Sequence, residues 1–353
     1  MIILRYLSNR GNCIENYNAL NSAVFLNNAG NDVIIISKKD SYIKEFCKKN
    51  KVKYHELNFL ILSGISRIPN ADLVEIYSYS KEDDKFIEKL LSLKKPKIMR
   101  VFGFPDSDTR EFIKKNEYSF SRIIVSCQSI KDELVFNQIS PIRIMILSPL
   151  LVMSRWESAK QIKPFTIMQR PYRVGCVMRS FSEEEAKFFM LIAKNVLVKN
   201  NEVNFMIVGS RDERIREFAR NLGISHKVDI LGWRDDMPEV MAMLHIYVST
   251  RNTPSVGRSL IEALASGVVC VVGNVGGISD FIKNDYTGII INPRNIDEYV
   301  KNIVRLVGDP VTMQNISAMA FAYAKANFSA QIITKVEELV YEETVAGWIS
   351  KYV

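Results

Sequence analysis

The sequence predicts an α/β protein of two domains, each built around a parallel β-sheet, and three observations support this fold class. The chain has 353 residues, which is more than one ordinary hydrophobic core accommodates. Short apolar runs rich in Val and Ile alternate with helical segments along both halves. Periodicity is weak from residue 148 to 172, where Pro149, Pro164 and Pro171 occur, so we expect a linker there.

The first half opens with an apolar strand, a polar turn that contains Gly11, and a helix, which is how a doubly wound domain begins. Further strands and helices follow at the spacing of βα units, and this spacing favours a parallel sheet with helices on both faces. The predicted strands are 2–6, 32–36, 52–57, 73–77, 97–102, 123–126 and 142–146, and the predicted helices are 15–28, 42–49, 81–93 and 109–115.

The second half repeats this alternation, so we expect a second parallel sheet of the same kind. Its last segments are helical by their apolar spacing and end the chain. The predicted strands are 173–178, 204–208, 227–231, 244–248 and 268–272, and the predicted helices are 183–198, 212–221, 259–266, 296–307, 310–327 and 330–352.

Composition places the chain among globular proteins, with 47% hydrophobic and 24% charged residues. No apolar run approaches the roughly 20 residues that span a bilayer, and Met1 to Leu7 fits a first strand better than a signal peptide. We therefore expect a cytoplasmic protein. Five scattered cysteines and three histidines form no C-x-x-C pair, so we expect reduced thiols and neither a metal site nor a cofactor.

The formal net charge of +8 is uneven along the chain. Residues 1–150 hold 23 Lys and Arg against 17 Asp and Glu, whereas the remaining residues hold 24 against 22. This excess indicates an anionic partner for the first half, either a membrane surface, which would make the protein peripheral on the inner face of the cell membrane, or a lipid-pyrophosphate acceptor. Ordinary solvated helix faces explain the charge equally well, and nucleic acid is disfavoured because no nucleic-acid motif occurs.

The stretch from Ser249 to Asp280 has a pattern typical of a phosphate site. An apolar strand ends at Val248, a loop follows, a helix begins after Gly257, and a second buried strand follows Gly267. In a parallel sheet this places a helix N-terminus at the carboxyl edge, where free N–H groups and the helix dipole favour a phosphate. Glu262 lies in the second turn of that helix and is either a solvated residue or a hydrogen-bond acceptor for a ribose diol.

The segments GRSLIEALASG, GNVGGISDFI and TGIIINP resemble the nucleotide-sugar half of retaining GT-B glycosyltransferases, specifically the large GT4-like family of glycosyl transferases group 1. VGCVMRSFSEEE resembles a further motif of that family, with Arg179 at the position of its phosphate-binding arginine. The resemblance covers nearly all of the second half of the chain, whereas over the first half only the order of strands and helices is similar.

The resemblance implies a GT-B architecture, in which two Rossmann-like domains face a cleft. It implies an N-terminal acceptor-binding domain at residues 1–150, a linker at 151–172, a C-terminal nucleotide-sugar domain at 173–328, and a final helix at 329–353 that crosses back to the first domain. The implied reaction is metal-independent hexosyl transfer from a UDP-sugar or GDP-sugar to a hydroxyl of a glycan or lipid-linked acceptor, with retention at the anomeric carbon.

The resemblance also implies roles for individual residues. Arg179 and Arg258 would stabilise the departing diphosphate, Glu262 would hold the ribose, and the Gly232-Trp233 loop would contact the base. Asp280 stands where the family has a glutamate and would orient the glycine turn beside the sugar. The residues implied in donor binding are Gly232, Trp233, Ser255, Val256, Gly257, Ser259, Leu260, Glu262, Gly276 and Gly277.

Two departures from the family pattern leave other functions open. Pro254 replaces the first motif glutamate, and Glu184 replaces the lysine that the family places over the diphosphate, unless Lys187 or Arg258 substitutes for it. A catalytically silent subunit that binds acceptor or stabilises a partner glycosyltransferase is therefore an alternative, and a nucleotide-sugar epimerase is a third.

Asp106-Ser107-Asp108 resembles the D-x-D metal motif of the other glycosyltransferase architecture, but it directly precedes a predicted helix. Aspartate is a preferred N-cap residue, so we interpret Asp106 as a helix cap.

Overall fold

The computed structural model describes residues 1–9, 11, 13–57, 68–162, 170–179, 181–251 and 257–352, without the side chains of residues 160–162 and 352. These residues form two units. The first contains residues 1–152 and 328–353, and the second contains residues 153–327. Each unit is built on its own parallel sheet, as the sequence predicts.

The sheet of the first unit has the strand order β3-β2-β1-β4-β5-β6-β7. It is parallel throughout, with Ile3 paired to Val33 on one side and to Leu73 on the other. The inner strands are rich in β-branched residues and almost completely buried, as expected for a sheet covered on both faces, whereas the edge strand Lys53–Glu56 is polar and partly exposed. They are β1 Ile2–Leu7, β2 Asp32–Ser37, β3 Lys53–Glu56, β4 Leu73–Tyr77, β5 Lys97–Val101, β6 Arg122–Val125 and β7 Ile144–Ile146.

Helices connect these strands, and aspartate side chains cap two of them. Asp40 accepts a hydrogen bond from the Ile43 amide at the start of the second helix, and Asp106 does the same for Thr109 at the start of the fourth. The helices are α1 Ile14–Asn28, α2 Ser41–Lys49, α3 Asp84–Ser92, α4 Ser107–Lys115 and α5 Gln128–Phe136, and the C-terminal helix Ala330–Tyr352 packs against α1 in the same unit.

A buried cluster of charged side chains fixes this C-terminal helix to the sheet. Arg5 on β1 donates to Glu75 on β4 across 2.6 Å, and Arg100 on β5 donates to the same carboxylate across 3.1 Å. Glu337 on the C-terminal helix accepts hydrogen bonds from both arginines, and Tyr341 donates to Glu75 across 2.7 Å. Two cations and two carboxylates therefore neutralise one another where all four are shielded from water.

The sheet of the second unit has the strand order β10-β9-β8-β11-β12-β13 and is also parallel throughout. Its strands are β8 Tyr172–Met178, β9 Val203–Gly209, β10 Val228–Gly232, β11 Ile246–Ser249, β12 Val269–Gly273 and β13 Gly288–Ile291.

One helix of this unit, α6 Met153–Ile162, lies in the segment for which the sequence predicts an irregular linker. The helices that follow are α7 Glu183–Lys199, α8 Glu213–Asn221, α9 Met237–Met241, α10 Arg258–Ala265, α11 Ile278–Phe281, α12 Ile296–Gly308 and α13 Pro310–Phe328, and the C-terminal helix of the first unit is α14.

Among the described residues, no helix combines the length and the apolar content that crossing a membrane requires. Nor do three or more His, Cys, Asp or Glu side chains come together there in a way that could hold a metal ion.

Candidate functional site

The strand order of the second sheet defines a point where a ligand can enter. Successive strands run outward from β8 to β10, and the chain then returns to add β11 on the other side of β8. Strands β8 and β11 are thus adjacent while their following loops lead in opposite directions, which opens a crevice at their carboxyl ends. Arg179 directly follows β8, and Arg251 lies two residues beyond the end of β11.

Arg179 lies within electrostatic range of three other charged side chains. Burial lowers its pKa, the positive charges of Arg258 and Arg251 lower it further, and Glu262 acts in the opposite direction. These effects place three arginines and one carboxylate near one another at the switch point. The group has an excess of positive charge and is partly removed from water, so it is suited to hold an anion.

Gly209 allows the backbone that carries Arg179 to approach closely. Its φ angle is +113°, a value that other residues rarely adopt, and a Cβ atom there would lie 2.2 Å from the Met178 carbonyl oxygen. Any side chain at this position would therefore push β9 away from the end of β8. Our sequence analysis did not select Gly209.

Helix α10 supplies the other charged pair of the site. Arg258 Nε donates to Glu262 Oε1 across 2.7 Å, and both side chains are buried. The pair has the i,i+4 spacing that brings side chains together on one helix face. Thus the structure joins two residues to which the sequence analysis assigned separate ligand contacts.

The second oxygen of Glu262, Oε2, is buried and has no hydrogen-bond partner among the described residues. Glu262 is only 2% exposed, so this oxygen lacks the water contacts that would otherwise satisfy it. A buried carboxylate oxygen without a donor is costly, and a ligand hydroxyl could satisfy it.

The other predicted residues of this loop and helix are placed only in part. Ser255 and Val256, with Pro254, lie outside the described residues. Gly257 is the N-cap of α10, the amide of Leu260 donates to the Gly257 carbonyl across 3.0 Å, and the Ser259 hydroxyl lies 3.1 Å from the Tyr247 hydroxyl. The Leu260 amide is therefore already bonded within the helix.

The Gly232-Trp233 pair lies at the carboxyl end of β10. Gly232 has a φ of +69°, and the Arg211 side chain occupies the space where a Cβ would be. Trp233 is about half exposed, and its indole Nε1 donates to Asp235 across 3.0 Å. An exposed ring on an edge loop is available for stacking, and the base contact stays a prediction.

Gly276 and Gly277 follow β12 at the same edge of the sheet. Gly276 has a φ of +57°, and Gly277 is the N-cap of the short helix α11, which contains Asp280. The Asp280 amide donates to the Gly277 carbonyl across 3.1 Å, so Asp280 is bonded to this turn through its backbone. The role of the turn beside a sugar stays a prediction.

Glu184, which replaces the family's lysine, and Lys187, one of the two residues considered as its substitute, lie on α7 in exposed ion pairs. Glu184, which occupies the lysine position, forms an ion pair with Arg294. Lys187 donates to Glu183 across 2.6 Å and lies over the ring of Phe218. Neither contact involves the arginines at the switch point.

Arg251 is a candidate that the sequence analysis missed. Its charge acts on Arg179, on Tyr247 and on Glu185, whose pKa is raised by burial and lowered in part by Arg251. Burial also raises the pKa of Tyr247 to about 12, so that hydroxyl stays neutral. The sequence could have indicated Arg251, because a cation two residues after a buried parallel strand lies at the ligand-binding edge of the sheet.

The interpretation of the D-x-D sequence as a helix cap is confirmed. The Asp106 carboxylate accepts a hydrogen bond from the Thr109 amide across 2.8 Å. This bond to Thr109 also holds the pKa of Asp106 below its ordinary value. Asp106 therefore serves the helix that it precedes.

Comparison with solved structures identifies the fold class. A glycosyltransferase from Rickettsia africae superposes with a TM-score of 0.80 at 18% identity, over 98% of both chains. The HepE protein of Anabaena, solved in complex with UDP, superposes with a TM-score of 0.81 at 15% identity, over 97% of this chain and 100% of that one. At such identities the likeness concerns the fold, and it confirms the predicted GT-B class of two Rossmann-like domains.

Sequence comparison finds similarity in the second half of the chain. Residues 157–323 match the family model of glycosyl transferases group 1. A UDP-Gal:alpha-D-GlcNAc-diphosphoundecaprenol alpha-1,3-galactosyltransferase of Escherichia coli is 25% identical over 38% of this chain and 36% of its own length. An N-acetyl-alpha-D-glucosaminyl L-malate synthase of Bacillus anthracis is 27% identical over 41% and 39%, respectively. Each match spans less than two-fifths of the relative's length.

Proposed function

We propose that this protein is a retaining glycosyltransferase that moves a hexosyl group from a nucleoside-diphosphate sugar to a hydroxyl of a glycan or lipid-linked acceptor. The observation that carries the proposal is the group of Arg179, Arg251 and Arg258 around Glu262 at the switch point of the second sheet. The match of residues 157–323 to the family model of glycosyl transferases group 1 supports it independently.

The chemistry of such a transfer explains why arginines are needed. When the bond between the sugar and the diphosphate breaks, negative charge builds up on the β-phosphate oxygen of the leaving group. Preorganised cations in a site poor in water stabilise that charge most in the transition state. Arg179 and Arg258 would supply two of them, and a guanidinium can donate to two phosphate oxygens at once.

Glu262 would bind the ribose in this proposal. Its Oε1 holds Arg258, while its buried Oε2 has no donor among the described residues. A ribose hydroxyl is a donor of suitable size and polarity. One carboxylate would thus orient the phosphate-binding arginine and accept from the nucleoside.

Two relatives support the acceptor class. The Escherichia coli relative is named for a diphosphoundecaprenol-linked acceptor, and a Staphylococcus aureus relative, 26% identical over 42% of this chain, is named a poly(ribitol-phosphate) alpha-N-acetylglucosaminyltransferase. Both names specify phosphate-bearing acceptors. We propose an acceptor of this kind for the present protein and a peripheral position at the inner face of the cell membrane, where lipid-linked acceptors are reached.

The first test is a thermal-shift screen with UDP, GDP and their sugars. A nucleotide at a hundredfold excess over its dissociation constant stabilises the native state by about 2.7 kcal/mol. The stabilising donor is then supplied with lipid-linked and polyol-phosphate acceptors in the presence of EDTA, and NMR assigns the anomeric configuration of the product. Retention without added metal supports the proposal, whereas inversion, or activity lost to EDTA, contradicts it.

The silent-subunit alternative is favoured by one observation. Glu184, at the position of the family's lysine, lies in an exposed ion pair with Arg294, so that position provides no cation. A silent subunit would neither transfer nor slowly hydrolyse any nucleotide sugar. It would instead raise the activity of a co-purified glycosyltransferase, and neither Arg179→Ala nor Arg258→Ala would change that effect.

A further inference from the structure

A groove lies at the amino-terminal edge of the first sheet, opposite the edge at which parallel sheets hold their usual ligands. It has a volume of about 650 Å³ and lies where β5, β6 and β7 begin. The last turns of α14 form its other side. All of these elements belong to the first unit, so the groove is formed within one compact body.

The groove is strongly cationic. Of the residues that the structure describes, one carboxylate, that of Glu343, lines it. The cations that line it are Lys94, Lys95, Lys97, Arg122, Arg143 and Lys351. Among the described residues, Lys94, Lys95, Lys97 and Arg122 have no carboxylate within ion-pairing distance. Several positive charges held together without counter-charges attract an anion from solution.

Two of these cations, Lys97 and Arg143, form hydrogen bonds with backbone carbonyls and so fix the segments that carry the others. Lys97 Nζ donates to the backbone carbonyls of Leu93 and Lys95, and so fixes the turn that carries Lys94 and Lys95. Arg143 donates to the Phe120 carbonyl across 2.8 Å and lies over the ring of Tyr118. These bonds fix the turn and one wall, and they leave Lys94, Lys95 and Arg122 as the cations that can bind a ligand.

Aromatic side chains complete the walls. Tyr118 is 85% exposed beside Arg143, and Trp348 lines the groove from α14. Arg122 makes a long contact, 3.5 Å, with the Ile142 carbonyl, so its guanidinium can donate elsewhere. A guanidinium and two ammonium groups match the oxygens of a phosphate group in geometry and charge.

We propose that this groove binds a phosphate group through Lys94, Lys95 and Arg122. The phosphate belongs either to an anionic lipid headgroup or to a free phosphorylated molecule, because both present the same oxygens. The proposal does not depend on the transferase activity, since the groove lies at the other edge of the other sheet from Arg179 and Arg258. It adds a second anion site, formed largely by residues 1–150, whose 23 Lys and Arg exceed their 17 Asp and Glu.

Two probes distinguish the sources of the phosphate. Binding is measured on the full-length protein with glycerol 1-phosphate in solution, and with vesicles of equimolar phosphatidylglycerol and phosphatidylcholine against phosphatidylcholine alone. The test variant is Lys94→Gln/Lys95→Gln. The control is Lys48→Gln/Lys49→Gln, which removes two exposed charges from α2 at the far side of the same sheet.

We expect each removed cation to weaken binding about fivefold, so the test variant should lose at least about tenfold and the control less than about twofold. A loss confined to the vesicles assigns a lipid headgroup, and a loss with both probes assigns a free phosphate that lipids imitate. The proposal is overturned if wild-type protein binds neither probe, or if the two double variants bind both probes equally. UDP and GDP binding, measured in parallel, separates these outcomes from failure of the donor site.

Discussion

Arg258 and Glu262 form a buried ion pair, with Arg258 Nε 2.7 Å from Glu262 Oε1, one turn apart on α10. The pair restrains a guanidinium that would otherwise sample many rotamers, so less entropy is lost when it meets a phosphate. It also gives a buried carboxylate a partner of opposite charge. In the proposed function, this single contact would prepare both residues for a nucleotide.

Glu262 can be tested by calorimetry. Glu262→Ala should weaken binding of the preferred nucleotide by about 1.5–3 kcal/mol, the range for a hydrogen bond to a charged group. Glu262→Gln keeps an acceptor for Arg258 and similar volume, so it should retain the fold and lose less affinity. Wild-type affinity in both variants would exclude the ribose role.

Arg179 and Arg258 should act on the same leaving group. Arg179→Ala and Arg258→Ala should each lower turnover by about 10²–10³, the usual loss for one preorganised donor. The double variant should lose less than the product of the two, because both side chains stabilise one charge. The control is Arg173→Ala, an exposed residue near the start of β8, the strand that Arg179 follows. This variant should leave turnover unchanged. Strict additivity would count against a shared leaving group.

Arg251 is the residue best placed to replace the missing lysine. Arg251→Ala should lower turnover by about tenfold or more, and Arg251→Lys should recover part of the loss because it restores charge without the planar fork. Arg294→Ala removes an exposed arginine that pairs with Glu184, and it should have little effect. Steady-state kinetics with the preferred donor measure these effects. Full turnover in Arg251→Ala would show that Arg251 has no role in the site.

Most strands and helices could be predicted because their apolar runs are local signals. The strand Leu73–Tyr77 and the helix Ala330–Tyr352 have the predicted bounds, and most other elements differ by one or two residues. The helix Met153–Ile162 was not predicted, because it lies among prolines and its apolar spacing is weak. Helix Gln128–Phe136 was also missed, although Ile130 and Leu134 have helical spacing.

Contacts between distant residues could not be predicted from one sequence. Arg5 interrupts an apolar strand, and nothing local indicates that its partners are Glu75 and, from the far end of the chain, Glu337. The Arg258–Glu262 pair, by contrast, follows from i,i+4 spacing, and the sequence analysis overlooked it by giving each residue its own ligand.

Glu337 should be essential for docking the C-terminal helix. Glu337→Ala removes one of the two carboxylates that Arg5 and Arg100 share, and breaking a buried ion pair on one side costs about 3–5 kcal/mol. Glu342→Ala, on the exposed face of the same helix, should change stability little. Urea unfolding of both variants measures the difference, and equal midpoints would show that the cluster contributes no net stability.

The same cluster predicts a dependence of stability on pH. Burial acts to raise the pKa of Glu75, but Arg5 and Arg100 outweigh it and hold the pKa below its ordinary value. A carboxyl with a depressed folded-state pKa stabilises the protein above its unfolded-state pKa, and this contribution is lost as pH falls through the folded-state value. The Tm difference between wild type and Glu75→Gln should therefore be large at pH 7 and shrink below about pH 4. Glu88→Gln, an exposed carboxylate on α3, controls for the change in net charge. A Tm difference for Glu75→Gln that stays constant from neutral to acidic pH would show that the Glu75 charge does not stabilise the fold.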